Sequence, residues 1–342
     1  MSALPLLDLK DASSFPSRRT EAWKYSDLRK YLREAPPLSP SAPIPLTGGG
    51  PFEALGGEAM VFVNGRPIDA GARVVCGEQT VRLRLISKAE GTGHAVAARL
   101  SARAGSRLLL LETHEGAGGA YVAHNRLELD LAEEAEVTRI VLTDEPEDAI
   151  SVTQTAVRLG RGARYRQTIV AAGAKLQRLE TAVSHPGHGA DVRLDGAYVL
   201  AGGRHADLTS VVDHLGRDGT TSQLTKGVVK DTARGVFQGK IIVERGADGT
   251  DARMGHHALI LSERGEVDAK PELIIYADEV QCAHGNTVGN LDESALFYMQ
   301  QRGLPPDEAR ALLTAAFLME VVDRIEPEGA REVVREWLTA RL

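Results

Sequence analysis

"RLELDLAEEAEVTRIVL", Arg126 to Leu142, holds the pattern on which the fold turns. Leu127, Leu129 and Leu131 alternate with charged residues, a short Ala-Glu-Glu turn follows, and a second apolar run ends in Ile140, Val141 and Leu142. A period of two marks β-strands, whereas a helix would place apolar residues three and four apart. The turn between the runs recurs. A stretch rich in Gly or Glu precedes a small residue and then a large apolar or aromatic one at Ala135-Glu136-Val137, Ala163-Arg164-Tyr165 and Ala190-Asp191-Val192. The second copy follows the first by 28 residues and the third follows the second by 27. A small residue entering each strand at near-constant period fits a solenoid of stacked coils. A closed barrel or sandwich is the alternative.

Working outward, the strand texture extends over residues 58–289. "MVFVNGRPI" sets Asn64-Gly65 between apolar runs, a hairpin signal. "TVRLRLIS", "SRLLLLE", "AVRLGRGARYRQTIV" and "FQGKIIVERG" add alternating or short buried runs. No sustained amphipathic helix separates them, which argues against an α/β fold. Residues 1–57 read differently. "PSRRTEAWKYSDLRKYL", from Pro16, suggests a helix with Leu28 and Leu32 at helical spacing, and "PPLSPSAPIPLTGGGP" suggests an extended linker. Residues 290–342 read as helices. Asp292 is placed to cap the first and Gly303 to stop it; Pro-Pro-Asp-Glu opens the second, whose Leu313, Phe317 and Val321 lie one turn apart; "PEGAREVVREWLTARL" makes a third. Their apolar faces need a surface, which the β zone or a partner protein could supply.

Composition narrows the function. An apolar fraction of 43% permits a sizeable core, and few aromatics with 35 glycines suit tight β turns. A net charge of −7 argues against a broad nucleic-acid footprint. Two cysteines, Cys76 and Cys282, form no disulfide framework, which favours a reducing compartment, the cytoplasm. The N-terminus has no basic region and turns acidic by Asp8, unlike a signal peptide, and no apolar run approaches the ~18 residues of a membrane span. Phosphate-cradling glycine motifs are absent, so any nucleotide hydrolysis is expected from another subunit.

The chemistry concentrates in "VQCAHGNTVG", Val280 to Gly289. On a strand Cys282 and His284 share a face with Cα atoms roughly 7 Å apart. Three readings stay open. They could be a core cysteine beside a surface histidine. They could be a nucleophile and base oriented by Asp278 or Asp292, although parallel side chains do not readily aim an imidazole at a thiol. They could be half of a metal or cluster site, completed by donors elsewhere in the fold, on another chain, or from inorganic sulfide, because a tetrahedral site takes four ligands. Of the other histidines, His256 and His257 should face opposite ways, one inward and satisfied, and His185 and His188 read as loop residues.

"DEVQCAHGNTVGNLDESALFYMQQRGLPPDEARALL", Asp278 to Leu313, strongly resembles the C-terminal signature of the SufB/SufD family, scaffold subunits of the Suf iron–sulfur cluster assembly machinery. "TSQLTKGVVKDTARGVFQGKIIV" and "HALILSERGEVDAKPELIIYADEVQC" resemble its β core, and "TEAWKYSDLRKYL" looks like the N-terminal segment of its SufD branch. The resemblance implies a mainly β protein: a right-handed parallel β-helix with helical N-terminal and C-terminal regions. It also implies a scaffold, not an enzyme, bound to a SufB-like homologous subunit and a SufC-like ATPase, with a homodimer of the isolated chain left open. A nascent iron–sulfur cluster would form at the shared interface, with His284 as this chain's ligand and Cys282 as an interface thiol and secondary ligand. Phe297, Tyr298, Arg302 and Phe317 fall in the region that docks the ATPase, so removing the residues after Gly303 should abolish docking and leave the β core folded. Asn286 departs from the pattern, standing where many relatives carry a small residue.

Overall fold

The computed structural model describes residues 7–40, 48–68 and 70–342. The first six residues, where a signal peptide would begin, and 41–47 of the expected linker lie outside them. Strands run from Glu58 to Gly289: β1 (Glu58–Val63), β2 (Arg66–Pro67), β3 (Ala72–Val75), β4 (Glu78–Ser87), β5 (Gly93–Ala102), β6 (Arg107–Gly116), β7 (Val122–Leu131), β8 (Glu136–Asp144), β9 (Ile150–Leu159), β10 (Arg164–Ala171), β11 (Leu176–His185), β12 (Asp191–Leu200), β13 (His205–His214), β14 (Thr220–Val229), β15 (Arg234–Val243), β16 (Asp251–Ile260), β17 (Glu266–Ile275) and β18 (Gln281–Gly289). From β5 onward each strand pairs in parallel with the strand two before it, and β4 pairs in parallel with β1. The even strands, with β1 and β2, make one sheet, β18-β16-β14-β12-β10-β8-β6-β4-β1-β2. The remaining odd strands make the other, β17-β15-β13-β11-β9-β7-β5-β3. The chain is therefore a parallel β-solenoid of about 8 turns, each coil giving one strand to each sheet.

The repeat seen in sequence is the coil itself. Glu136, Arg164 and Asp191 are register neighbours, as are Val137, Tyr165 and Val192, which point inward and are buried. The residue before each repeated alanine has positive φ: Glu134, Gly162 and Gly189 at 55°, 63° and 66°. The chain reverses there in a left-handed kink, which suits glycine and costs Glu134 some strain. Ala135, Ala163 and Ala190 follow with no exposed surface, so a larger side chain would have no room. Backbone bonds stack the corners: Glu134 N–H donates to Arg161 O (2.8 Å), and Gly162 N–H to His188 O (2.9 Å). The Asn64-Gly65 hairpin forms as expected, with φ of 47° and 84° at its two turn residues.

Two of the readings need correction. Residues 16–32 form no continuous helix, only a 3-10 turn at Glu21–Trp23 and the single-turn helix α1 (Leu28–Tyr31). The segment lies along the odd-strand sheet instead. Phe15, Trp23 and Leu28 are buried against Val122, Ile150, Val152 and Leu176. Trp23 covers the Arg178 guanidinium at 4.5 Å, Arg178 is ion-paired to Asp207, and Ser26 Oγ donates to Asp207 (2.5 Å). Anchoring on a flat sheet overrides weak local helix preference. His185 is likewise no loop residue. It ends β11, fully buried and edge-on to its register neighbour His214 at 4.1 Å. His188 is exposed in the following turn.

Three helices follow the solenoid: α2 (Glu293–Gln301), capped by Asp292 and ending before Gly303 at φ 90°, α3 (Pro306–Val322) and α4 (Glu328–Thr339). The β zone supplies their surface. Leu318, Val321, Val322, Val334 and Leu338 bury themselves against Leu111, Ile140, Leu142, Val170 and Ala197 on the outer face of the even-strand sheet. The buried stripe of α3 runs through Thr314, Leu318 and Val321, with Leu313 and Phe317 half-buried at its margin. Among the described residues, no helix is long and apolar enough to cross a membrane.

Candidate functional site at the open end of the solenoid

The two ends of the solenoid differ. At the first, the β1–β2 hairpin and β3 close the core over buried Met60, Phe62 and Val75. At the second, β18 and β17 are the last strands of their sheets. Leu273, Ala277, Val280 and Cys282 pack on the core but stay partly exposed, and Tyr276 and Val288 are more exposed still. An apolar end face rimmed by unpaired strand edges is the kind of surface proteins normally cover.

Register places the site residues on this face. Cys282 continues the inward column Val192, Thr221, Ala252, and His284 the column Leu194, Gln223, Met254. Asn286 lies over His256 and Val288 over Ala258. In an inner coil all four would be core residues. On the last coil none of the described residues covers them, so His284 is exposed and Cys282 half-buried. Burial pushes the Cys282 thiol above its ordinary pKa, with nearby Asp251 adding to the rise against a backbone hydrogen bond from Ala252. Among the described residues the His284 imidazole has no side-chain hydrogen bond. Asp292 accepts from Ser294 N–H (2.8 Å) as the α2 cap, and Asp278 is exposed without touching His284. The components of a nucleophile–base–orienter relay are thus not assembled among the described residues, and the direction of the Cys282 shift is away from an activated thiolate. Among the described residues no group of three or more His, Cys, Asp or Glu is arranged to hold a metal ion. Two nitrogen and sulfur donors on an open face are what this chain itself brings.

His256 and His257 point to opposite faces. His256 is fully buried, its Nε2 3.0 Å from Tyr198 Oη and its Nδ1 2.7 Å from Asn286 Oδ1. His257 is half-buried outside, 2.7 Å from Thr287 Oγ1. The His256–Asn286 contact was not foreseeable from sequence, because it joins residues that only the coil register brings together. Phe297 and Tyr298 on α2 are exposed, and Arg302 Nη2 donates to Tyr298 Oη (3.1 Å). Phe317 stands apart from them, half-buried beneath the Lys226 ammonium at 4.3 Å.

Fold and site together define a parallel β-solenoid protein whose donor side chains lie on an open end and not in a cleft. Residues 85–317 match the family model described as "SUF system FeS cluster assembly, SufBD core domain", and the chain belongs to that family. It is 28% identical over 395 aligned residues to the iron–sulfur cluster assembly protein SufD of Escherichia coli, covering 96% of this chain and 90% of that one. It is 34% identical over 214 residues to the iron–sulfur cluster assembly SufBD family protein slr0076 of Synechocystis, covering 63% of this chain and about half (47%) of that one. A shorter match, 35% over 126 residues, covers 37% of this chain and 29% of the SufD protein of Bacillus subtilis.

Proposed function

We propose that this SufBD-family chain is a non-catalytic, cytoplasmic scaffold that shares a nascent iron–sulfur cluster, as cargo, with a SufB-like homologous subunit across the open end of the solenoid. His284 is the ligand it contributes, and Cys282 is an interface thiol and secondary ligand. The observation that carries this reading is the placement of His284. It occupies a core column on the last strand of its sheet, with no side-chain partner for its ring among the described residues. A neutral imidazole offers a lone pair to iron without adding charge. The remaining ligands then come from the partner and from sulfide, which suits a site that must build a cluster and release it. A SufC-like ATPase docks on the C-terminal helices, where Phe297, Tyr298 and Arg302 form an exposed patch on α2 and Phe317 lies apart from it on α3. The same end face could pair with a second copy when the chain is isolated. Neither nucleic acid nor membrane is a partner.

The test is anaerobic reconstitution of the chain co-expressed with its SufB-like and SufC-like partners, read by visible absorption and electron paramagnetic resonance. His284→Ala should abolish cluster build-up while the complex still elutes as one species. Build-up at the wild-type level would refute the reading. A cysteine-nucleophile enzyme would instead lose a partner-independent turnover on Cys282→Ser.

A further inference from the structure

Asn286 lies two residues beyond His284 on the same face of β18 and is exposed. It is not free to rotate. Its Oδ1 is 2.7 Å from His256 Nδ1, and His256 is fully buried, stacked on Phe237 at 4.7 Å with rings 2° from parallel. The other ring nitrogen, Nε2, is 3.0 Å from Tyr198 Oη, and Tyr198 is also fully buried. With Oδ1 as acceptor, Nδ1 carries the proton, so Nε2 accepts from the Tyr198 hydroxyl. The chain of bonds therefore runs outward, from Tyr198 O–H to His256 to the Asn286 carbonyl oxygen. This fixes which end of the amide faces inward. The Asn286 N–H₂ group is left with no acceptor among the described residues, and Asn286 shares its exposed face of β18 with Cys282 and His284. A surface asparagine usually spends its amide on its own backbone or on water. Here one buried side chain, His256, itself bonded to Tyr198, holds its carbonyl end.

We propose that Asn286 is a positioning and recognition residue of the end face, presenting its locked amide N–H donors to anionic sulfur on the cargo held at His284. The inference rests on the reading of His284 as a cluster ligand. Sulfide sulfur is a hydrogen-bond acceptor, and N–H donors near cluster sulfur stabilise added negative charge and raise the reduction potential. Asn286 thus favours sulfide-bearing cargo over iron alone, and favours its reduced form.

The experiment uses the reconstituted complex with wild type, Asn286→Ala, Asn286→Asp and His284→Ala side by side. Asn286→Ala should still form the complex with its partners, but its cluster should show a more negative midpoint potential by spectroelectrochemistry and a several-fold shorter lifetime under chelator challenge. Asn286→Asp, which replaces donors by a negative charge, should shift both further in the same direction. In the cluster-free chain, the His256 Nδ1–H resonance should be protected from exchange in wild type and lose that protection in Asn286→Ala. An unchanged potential and lifetime in Asn286→Ala would overturn the proposal, as would an unprotected Nδ1–H in wild type. If His284→Ala keeps a wild-type cluster, the reading of His284 fails on its own evidence, which is distinct from the first outcome.

Discussion

Cys282 is the in-register neighbour of Ala252, so its thiol forms the last rung of a buried column. This half-covered position holds it above the ordinary thiol pKa. Cys76, by contrast, is exposed at the other end of the solenoid. In the isolated chain, timed iodoacetamide labelling read by mass spectrometry should modify Cys76 several-fold faster than Cys282, because the thiolate is the reacting form and needs access. Faster labelling of Cys282 would mean an activated thiol, and would revive the nucleophile reading.

Glu112 and Arg139 form a fully buried ion pair inside the solenoid, Arg139 Nε donating to Glu112 Oε2 (2.8 Å) and Nη2 to Oε1 (2.9 Å). Burial alone would raise the Glu112 pKa, but Arg139 and the adjacent His114 hold it at about 2. Glu112→Ala leaves a buried guanidinium without its carboxylate and should cost about 3–5 kcal/mol. The double change Glu112→Leu with Arg139→Met should recover most of that, since apolar replacements remove the desolvation cost of both charges. Urea midpoints of the three chains test this. A double variant as unstable as the single one would show that the pair is needed for more than mutual neutralisation.

His94, His185, His205 and His256 are held down at about 4, and His214 at about 2, all mainly because burial disfavours the charged ring. Near 6.5 the unfolded chain gains protons at these positions that the native chain refuses. Stability should therefore be level above pH 7 and fall as pH drops from about 6.5 toward 4, by about 1.4 kcal/mol per pH unit for each histidine titrating only in the unfolded state. Asp195, raised by burial to about 6 despite Arg324 and Arg193, acts in the opposite sense, but it is one group against five. Urea denaturation at pH 7.5, 6.5, 5.5 and 4.5 measures the slope. A constant midpoint would contradict the burial of these rings.

The solenoid was legible because its period is written twice, in strand alternation and in the alanine after each left-handed corner. Glu134 differs as a letter from Gly162 and Gly189, yet all three take the same backbone conformation. The site was legible only as a pair of donors. Its openness depends on β18 having no further coil, and sequence does not say which strand is last in a sheet. The N-terminal segment was misread because Trp23 and Leu28 answer to Arg178 and Val152, far along the chain, and not to their own helical neighbours. The target of the C-terminal helices was open for the same reason, since an apolar stripe does not name what it covers.

That target changes what a truncation would do. From sequence, removing the residues after Gly303 should spare the β core. In the fold, α3 and α4 cover Leu111, Ile140, Leu142, Val170 and Ala197 on the even-strand sheet. Lys226 is ion-paired to Glu320, and Arg324 reaches Asp195 at 3.1 Å. Cutting at Gly303 uncovers this apolar face and strips Arg324 from buried Asp195. The truncated chain should bind an apolar dye, run as aggregates on size exclusion and lose its cooperative melt. A monodisperse, cooperatively melting product would show instead that the two sheets hold together without the helices. Docking of the ATPase is better tested by Phe297→Ala with Tyr298→Ala in the full chain. Both side chains are exposed, so the change should cost stability within about 0.5 kcal/mol. A pull-down should then show ATPase capture reduced at least tenfold with an unaltered melting curve. Undiminished capture would move the docking surface away from α2.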